Sequence, residues 1–478
     1  MAGVSIPLGL AGDLLFHGRP LGLNVFLWVA AFVGALAMLL RIDRAPLHQG
    51  RRWMAAPLLL FAAAFVWHDS RLLEGANLLA LAGAVVLGAL RRTEPQPQRA
   101  GVGDYAAGLA AAGAGAVAGA IHLFASDIKW DEVGRGIRTP RVAAVGKGLA
   151  IGSPLLLLFG WLFVAADAVF KGLVAGLVPS LDHPLVHALI VGGFAWFAAG
   201  LLRDLAASRE EARLVSPATV QTYAARWSLG TTELAVVLAV LNLLFLAFVL
   251  VQLRYLFGGA GLVAARAHLT YAQYARHGFF ELVAVSILVL PLLLAVDALR
   301  RKDEARGRLV PVLSAGLIAL VLVVMASALQ RMRLYEQAYG LTELRLYATG
   351  VILWLAVVLL WFCATALRGR RRPFAFGALL TGFAATAVLN VANPDALIAR
   401  TNLSRPHLDA AYVGSLADDA LPTVLERLPG LAPAPRQELA RALLARRPAR
   451  DWRSFNLSRA RGRTMLAQHR AELERLAR

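Results

Sequence analysis

The stretch RHGFFELVAVSILVLPLLLAVDALRRK, residues 276–302, carries a carboxylate near each end of an apolar run, Glu281 and Asp297. An ionised carboxylate is costly in hydrocarbon, so each needs a partner or a role. At a rise of about 1.5 Å per residue the two stand about 24 Å apart along a helix, too far to act as one acid–base pair. Asp297 adjoins Arg300, Arg301 and Lys302, which reads as ordinary pairing at an interface. Glu281 follows Phe279 and Phe280 at the other end of the run. It is the first candidate for a charge-bearing binding group, and Arg254 and Arg333 are its expected partners.

Other polar residues crowd the ends of neighbouring apolar runs. Asp167 lies in VAADAVF; Arg254 and Tyr255 close LVQLRYLFGG; Arg331, Arg333, Glu336, Glu343 and Arg345 fill RMRLYEQAYGLTELRLY; Asn393 and Asp395 follow the last run. Arginine–carboxylate pairing of this kind makes either a structural salt-bridge belt or a polar pocket for a solute, headgroup or ion. The chain contains no HExxH, GxSxG, Walker A loop or GxGxxG after a strand, so no catalytic residue is assigned. The histidines are scattered and the one cysteine, Cys363, lies in an apolar run, so neither a metal site nor a cofactor is expected.

These residues must be positioned by helices. Of 478 residues, 58% are hydrophobic, and the mean hydropathy is +0.61, well above soluble domains. Runs of about 20 apolar residues, each able to cross about 30 Å of hydrocarbon, are expected near 21–40, 54–68, 73–90, 104–124, 149–171, 185–202, 232–256, 279–299, 309–330, 347–367 and 374–391. The expected fold is an all-α polytopic bundle of about 10–11 spans. The net charge of +19 comes mostly from arginines between the runs, a topology and headgroup signal that argues against nucleic acid as a partner.

Basic segments at 41–52, 91–99, 300–308 and 368–372 should face the cytoplasm. That places 254–276, 331–346 and everything after Asn390 outside. The basic segments 91–99 and 129–147 flank only one Gly/Ala-rich stretch, which is either a hairpin or a span; a single packed span is the reading adopted.

Three regions follow: an N-terminal transmembrane region, 1–145; a core bundle, 146–392; and a helical extramembrane domain, 393–478. Its tail from Arg436 is expected to be helical, amphipathic and basic, with Leu439, Leu443 and Leu444 on one face. Trp452 and Phe455 would anchor it to the bilayer or to the domain. Membrane lipids, and an envelope protein through this domain, are the expected partners.

VLNLLFLAFVLVQLRYLFGG, TYAQYARHGFFELVAV, RLYEQAYGLTELRLYA, NPDALIARTNL and DWRSFNLSRARG together resemble bacterial integral membrane proteins known as a domain of unknown function (number four-one-seven-three, with its relative four-one-five-three). The likeness spans roughly residues 145–460, with Ala168 where the related ADPVF element has proline. It implies a bacterial inner-membrane location and brings no activity or site residues. Three functions stay open: transport or envelope sensing through an outward-facing polar pocket, a non-catalytic scaffold or regulatory subunit, and an enzyme acting on a lipid-linked substrate.

Overall fold

The structure is a computed structural model that describes residues 2–42, 49–90, 96–122, 182–206, 231–257, 279–300, 307–446 and 451–478. The expected span at 149–171 lies outside them. Every extended regular element among the described residues is a helix. Eight are long and apolar enough to cross a bilayer, and the chain is a polytopic helical membrane protein.

Helices α1 (Ala2–Phe16), α2 (Leu23–Ile42), α3 (Gln49–Trp67) and α4 (Arg71–Ala89) pack with α6 (Asp182–Ala206) around Trp28, Phe32, Phe61, Phe65, Leu87 and Leu202. Between them in sequence, α5 (Val102–His122) is one continuous helix packed on α4 and α6. The Gly/Ala-rich stretch is therefore a single helix, not a hairpin. A second core, built on Leu238, Leu293, Val321, Leu355, Val358 and Phe362, joins α7 (Thr231–Phe257), α8 (Phe279–Leu299), α9 (Leu309–Tyr339), α10 (Glu343–Ala364) and α11 (Arg372–Ala392). The two cores meet where α4 crosses α11. Asn77 and Asn390 exchange hydrogen bonds of 3.2 and 2.8 Å there, both buried.

Helix α9 runs two turns past the expected end at residue 330. Its 31 residues span about 46 Å, longer than a hydrocarbon core of about 30 Å. The last carbonyls explain how the overshoot is kept. Arg405 donates to Glu336 O (2.9 Å) and Gln337 O (2.6 Å), and Arg345 donates to Gly340 O. These satisfy acceptors that a helix end otherwise leaves to water.

Beyond α11 the chain forms a compact helical domain. It comprises α12 (Pro394–Leu403), α13 (Ala410–Ser415), α14 (Leu421–Arg427), α15 (Pro433–Leu444), α16 (Leu457–Gln468) and α17 (Arg470–Leu476). Ile398, Val413, Val424, Leu439, Leu443 and Leu473 form its core. The basic tail is thus three helices folded onto this domain.

The connectors sort to two ends. The turns after α1, α3, α9 and α11 gather against the helical domain. At the opposite end Asp297 of α8 pairs with Arg371 at 2.9 Å, just before α11. Arg300, Arg308 and the basic connector 365–371 belong to that end.

Candidate functional site

Three membrane-end turns and the helical domain are held together by short-range polar chemistry. In the α1–α2 turn, the fully buried Asn24 accepts from Gly22 N (2.7 Å) and Val25 N (3.0 Å) and donates to Leu15 O and Pro20 O. The segment 451–456 lies on this turn. Leu23 N donates to Phe455 O at 2.8 Å, and a Cβ on Gly22 would fall 2.7 Å from that same oxygen. Arg19 pairs with Asp451 (3.0 Å) and Arg453 grips the same carboxylate. These hydrogen bonds from Arg453, with Arg19 alongside, hold the Asp451 carboxyl well below the usual carboxylate range.

The α3–α4 turn is only three residues long, and each has a partner or a burial problem. His68 Nδ1 lies 2.8 Å from Asp419 Oδ1, both nearly sealed from solvent, and Asp69 N donates to Asp419 Oδ2 at 2.6 Å. Asn456 donates to Phe65 O and His68 O, closing the end of α3. Arg459, with a side chain only 12% exposed, joins several parts at once. It reaches Asp69 at 2.5 Å, Glu74 at 3.7 Å, Leu21 O at 3.0 Å and Ser454 O at 3.2 Å.

The α9–α10 turn is fastened by Asn402, which exchanges two 2.8 Å hydrogen bonds with the backbone of Leu341. Glu343 N donates to the Tyr412 hydroxyl at 2.9 Å. Asn393, in the left-handed region at φ 50°, caps α12 by accepting from Ala396 N. Two residues on, Asp395 is fully buried. Its Oδ1 accepts from Ala417 N at 3.2 Å, while Oδ2 is a buried acceptor without a hydrogen-bond partner. Ser70 Oγ and Tyr347 OH are buried nearby in the same condition, and the Glu343 carboxyl lies beside them. Burial pushes the Asp395 carboxyl up from its ordinary value; the neighbouring Ser70 hydroxyl and Ala417 N oppose the shift, and the negative charge of Asp419 adds to it.

Between these turns and the domain opens a cleft of about 980 Å³. Arg19, Arg71, Arg446, Arg459 and Arg463 line it, with Asp69, Glu74, Glu343 and Asp418 interspersed. Arg446 pairs with Asp418 at 2.7 Å and donates to Gly414 O at 2.8 Å. Burial raises the Asp418 carboxyl, and Arg446 opposes that shift. Arg71 is exposed at the start of α4, close enough to Glu74 and Glu343 to act on their charge, but in direct contact with neither.

The residues singled out from sequence divide into three sets. Glu343, Asn393 and Asp395 stand at the cleft or directly behind it. Arg331, Arg333, Glu336 and Arg345 belong to the extension of α9 and its hairpin, where Arg345 stacks over the Tyr335 ring at 4.1 Å. Arg333 is exposed on that extension. Glu281 opens α8, and Arg254 and Tyr255 close α7; their side chains, like Asp167, lie outside the described residues. Sequence reasoning missed His68, Asp69, Ser70, Arg71, Glu74, Asp418, Asp419 and Arg459. The signal was present in WHDSR, where four polar residues break two apolar runs, and in the Arg459 end of FNLSR.

Residues 55–427 match a protein family described as domain of unknown function DUF4153. The chain belongs to the DUF4153 family. Of the two related families that the sequence resembles, this is the second. Comparison with curated proteins and with solved structures gives no match. The DUF4153 span takes in the α3–α4 turn, Glu343, Asp395, Asp418 and Asp419, whereas Arg19, Arg446, Asp451 and Arg459 lie on either side of it. The cleft is therefore walled partly by the DUF4153 region and partly by flanking segments.

Proposed function

We propose that this chain is a multi-pass protein of a bacterial inner membrane that senses an anionic solute or headgroup in the cleft, on the outer side. The observation that carries this reading is Arg71. It is an exposed guanidinium aimed at a large cleft, with no salt bridge or hydrogen bond among the described residues. Guanidinium groups bind phosphate and carboxylate through paired charge-assisted hydrogen bonds, and Arg19, Arg446 and Arg459 add positive potential around the same space. The helical domain forms one wall of the cleft, so a ligand that bridges both walls changes how firmly the domain sits.

Sensing is favoured over transport. Charged side chains among the described residues stand at the two ends of the bundle, and the buried polar groups between them are uncharged Asn and Ser. The outer placement rests on the basic connectors at the opposite end. Trp452 and Phe455, both exposed beside the bundle end, suit contact with the headgroup layer, so membrane lipids are the proposed neighbours.

The test is thermal unfolding of the purified full-length protein with pyrophosphate or with phosphatidylglycerol micelles. Either anion should raise the Tm of the wild type, and Arg71→Gln should remove most of the shift measured from its own ligand-free Tm. Equal shifts in both proteins would overturn the reading.

A further inference from the structure

We propose that Asp13, His17 and His187 form a binding site for one divalent transition-metal ion of the zinc class. Asp13 and His17 lie one turn apart at the end of α1, so their side chains share a face. His187 comes from α6, more than 160 positions away in sequence. Two glycines bring the helices together. A Cβ on Gly12 would lie 2.2 Å from the Phe194 ring, and one on Gly9 would lie 2.5 Å from Val191 O. Phe16 then stacks on Phe194 with centroids 5.0 Å apart. His187, two turns before Phe194 on the same helix, is delivered opposite His17, and their rings stack at 4.3 Å.

One donor atom from each residue falls within a group no wider than 4.8 Å. His187 Nδ1 lies 2.7 Å from Asp13 Oδ2, and His17 Nδ1 lies 3.9 Å from Asp13 Oδ1. The first contact is an ordinary hydrogen bond. The second is not, and it is the informative one: Asp13 Oδ1 and His17 Nδ1 are both buried atoms without a hydrogen-bond partner. A cation bound at about 2.0–2.2 Å from each would sit between them at that separation, and it would satisfy two atoms that the hydrogen bond leaves alone.

The donor set selects the ion. Two imidazoles and one carboxylate suit zinc, cobalt or nickel rather than calcium or magnesium, which favour all-oxygen shells. On binding, His187 moves its proton to Nε2 and turns Nδ1 to the ion in place of the hydrogen bond to Asp13. The side chains of His17 and His187 are 33% and 46% exposed, so the ion has an entry path and an open position for water. Asp13 and His17 precede the DUF4153 span, and His187 lies within it.

The experiment uses the full-length protein, purified without a histidine tag and stripped with chelator. Cobalt(II) titration should give the visible spectrum of a low-symmetry site with a stoichiometry of one, and zinc should displace it. His17→Gln and His187→Gln should each weaken binding at least about tenfold, each judged against its own metal-free Tm, since both also lose the ring stack. A Tm increase on adding zinc should be present in the wild type and lost in both variants. Failure of the wild type to bind cobalt or zinc would overturn the proposal. So would unchanged affinity in both variants. Should the variants fold poorly, the wild-type cobalt spectrum and stoichiometry decide on their own.

Discussion

Asp395 poses the sharpest question at the scale of single residues. It sits at the second position of α12, where the helix N-terminus favours negative charge, yet it is fully buried with one oxygen unpartnered. Because its folded pKa is raised, the folded state holds the proton more tightly than the unfolded chain. The stability from this group is complete below the ordinary carboxylate range and is lost as pH rises through the raised value. Asp395→Asn stays neutral throughout, keeps an oxygen for Ala417 N, and puts an N–H₂ in place of Oδ2, beside the Ser70 and Glu343 oxygens that can accept from it. We expect it to raise stability at pH 7 by about 1–3 kcal/mol, with the gain vanishing as pH falls below about 4. Tm measured from pH 4 to pH 8 checks this; a variant less stable at every pH would mean that the carboxylate is held charged. Asp297 is the contrasting case. It pairs with Arg371 in a half-exposed setting, where such pairs contribute about 0–1 kcal/mol. That ordinary role could be read from its arginine-rich surroundings in sequence. The cleft residues could not. His68, Asp69 and Ser70 occupy a turn so short that it looks like the frayed end of two spans, and their partners Asp419, Asn456 and Arg459 are some 350–390 positions away.

At the scale of elements, hydropathy located the helices well because every span must satisfy its own backbone in lipid. It failed at the end of α9, where polar residues continue the helix outside the hydrocarbon and a distant arginine, Arg405, caps it. Docking of segment 451–456 onto the α1–α2 turn was also invisible, since it depends on a glycine that leaves room for a backbone and not on any patterned side chain. Two substitutions probe this contact in different ways. Gly22→Val places carbon atoms where the Phe455 carbonyl lies, so it blocks the approach sterically. Arg459→Lys keeps the charge but has one nitrogen in place of the fork that serves Asp69, Leu21 O and Ser454 O. Both should loosen the domain while leaving the bundle folded. Limited trypsin digestion should then release fragments cut between residues 446 and 463 at least about tenfold faster than in the wild type. Unchanged digestion of both variants would show that the domain is held by its apolar contacts alone.

For the whole molecule, the arrangement has two unlike ends. One is basic and built from short connectors; the other carries a folded domain and a charged cleft. Positive residues in short connectors resist translocation, whereas long segments cross despite their charge, so the helical domain should face outward even though it is rich in arginine. The single cysteine makes this testable. In a Cys363→Ser background, His407→Cys reports on the domain and Arg370→Cys on the connector before α11, both at exposed positions. A membrane-impermeant maleimide applied to intact spheroplasts should label the first and spare the second until the membrane is permeabilised. The reverse pattern would turn the molecule over and put the cleft in the cytoplasm, removing the outer ligand from the proposed function but leaving the geometry of its binding groups intact. Labelling of both in intact spheroplasts would break the two-ended arrangement itself, because His407 and Arg370 are separated by one full span, α11.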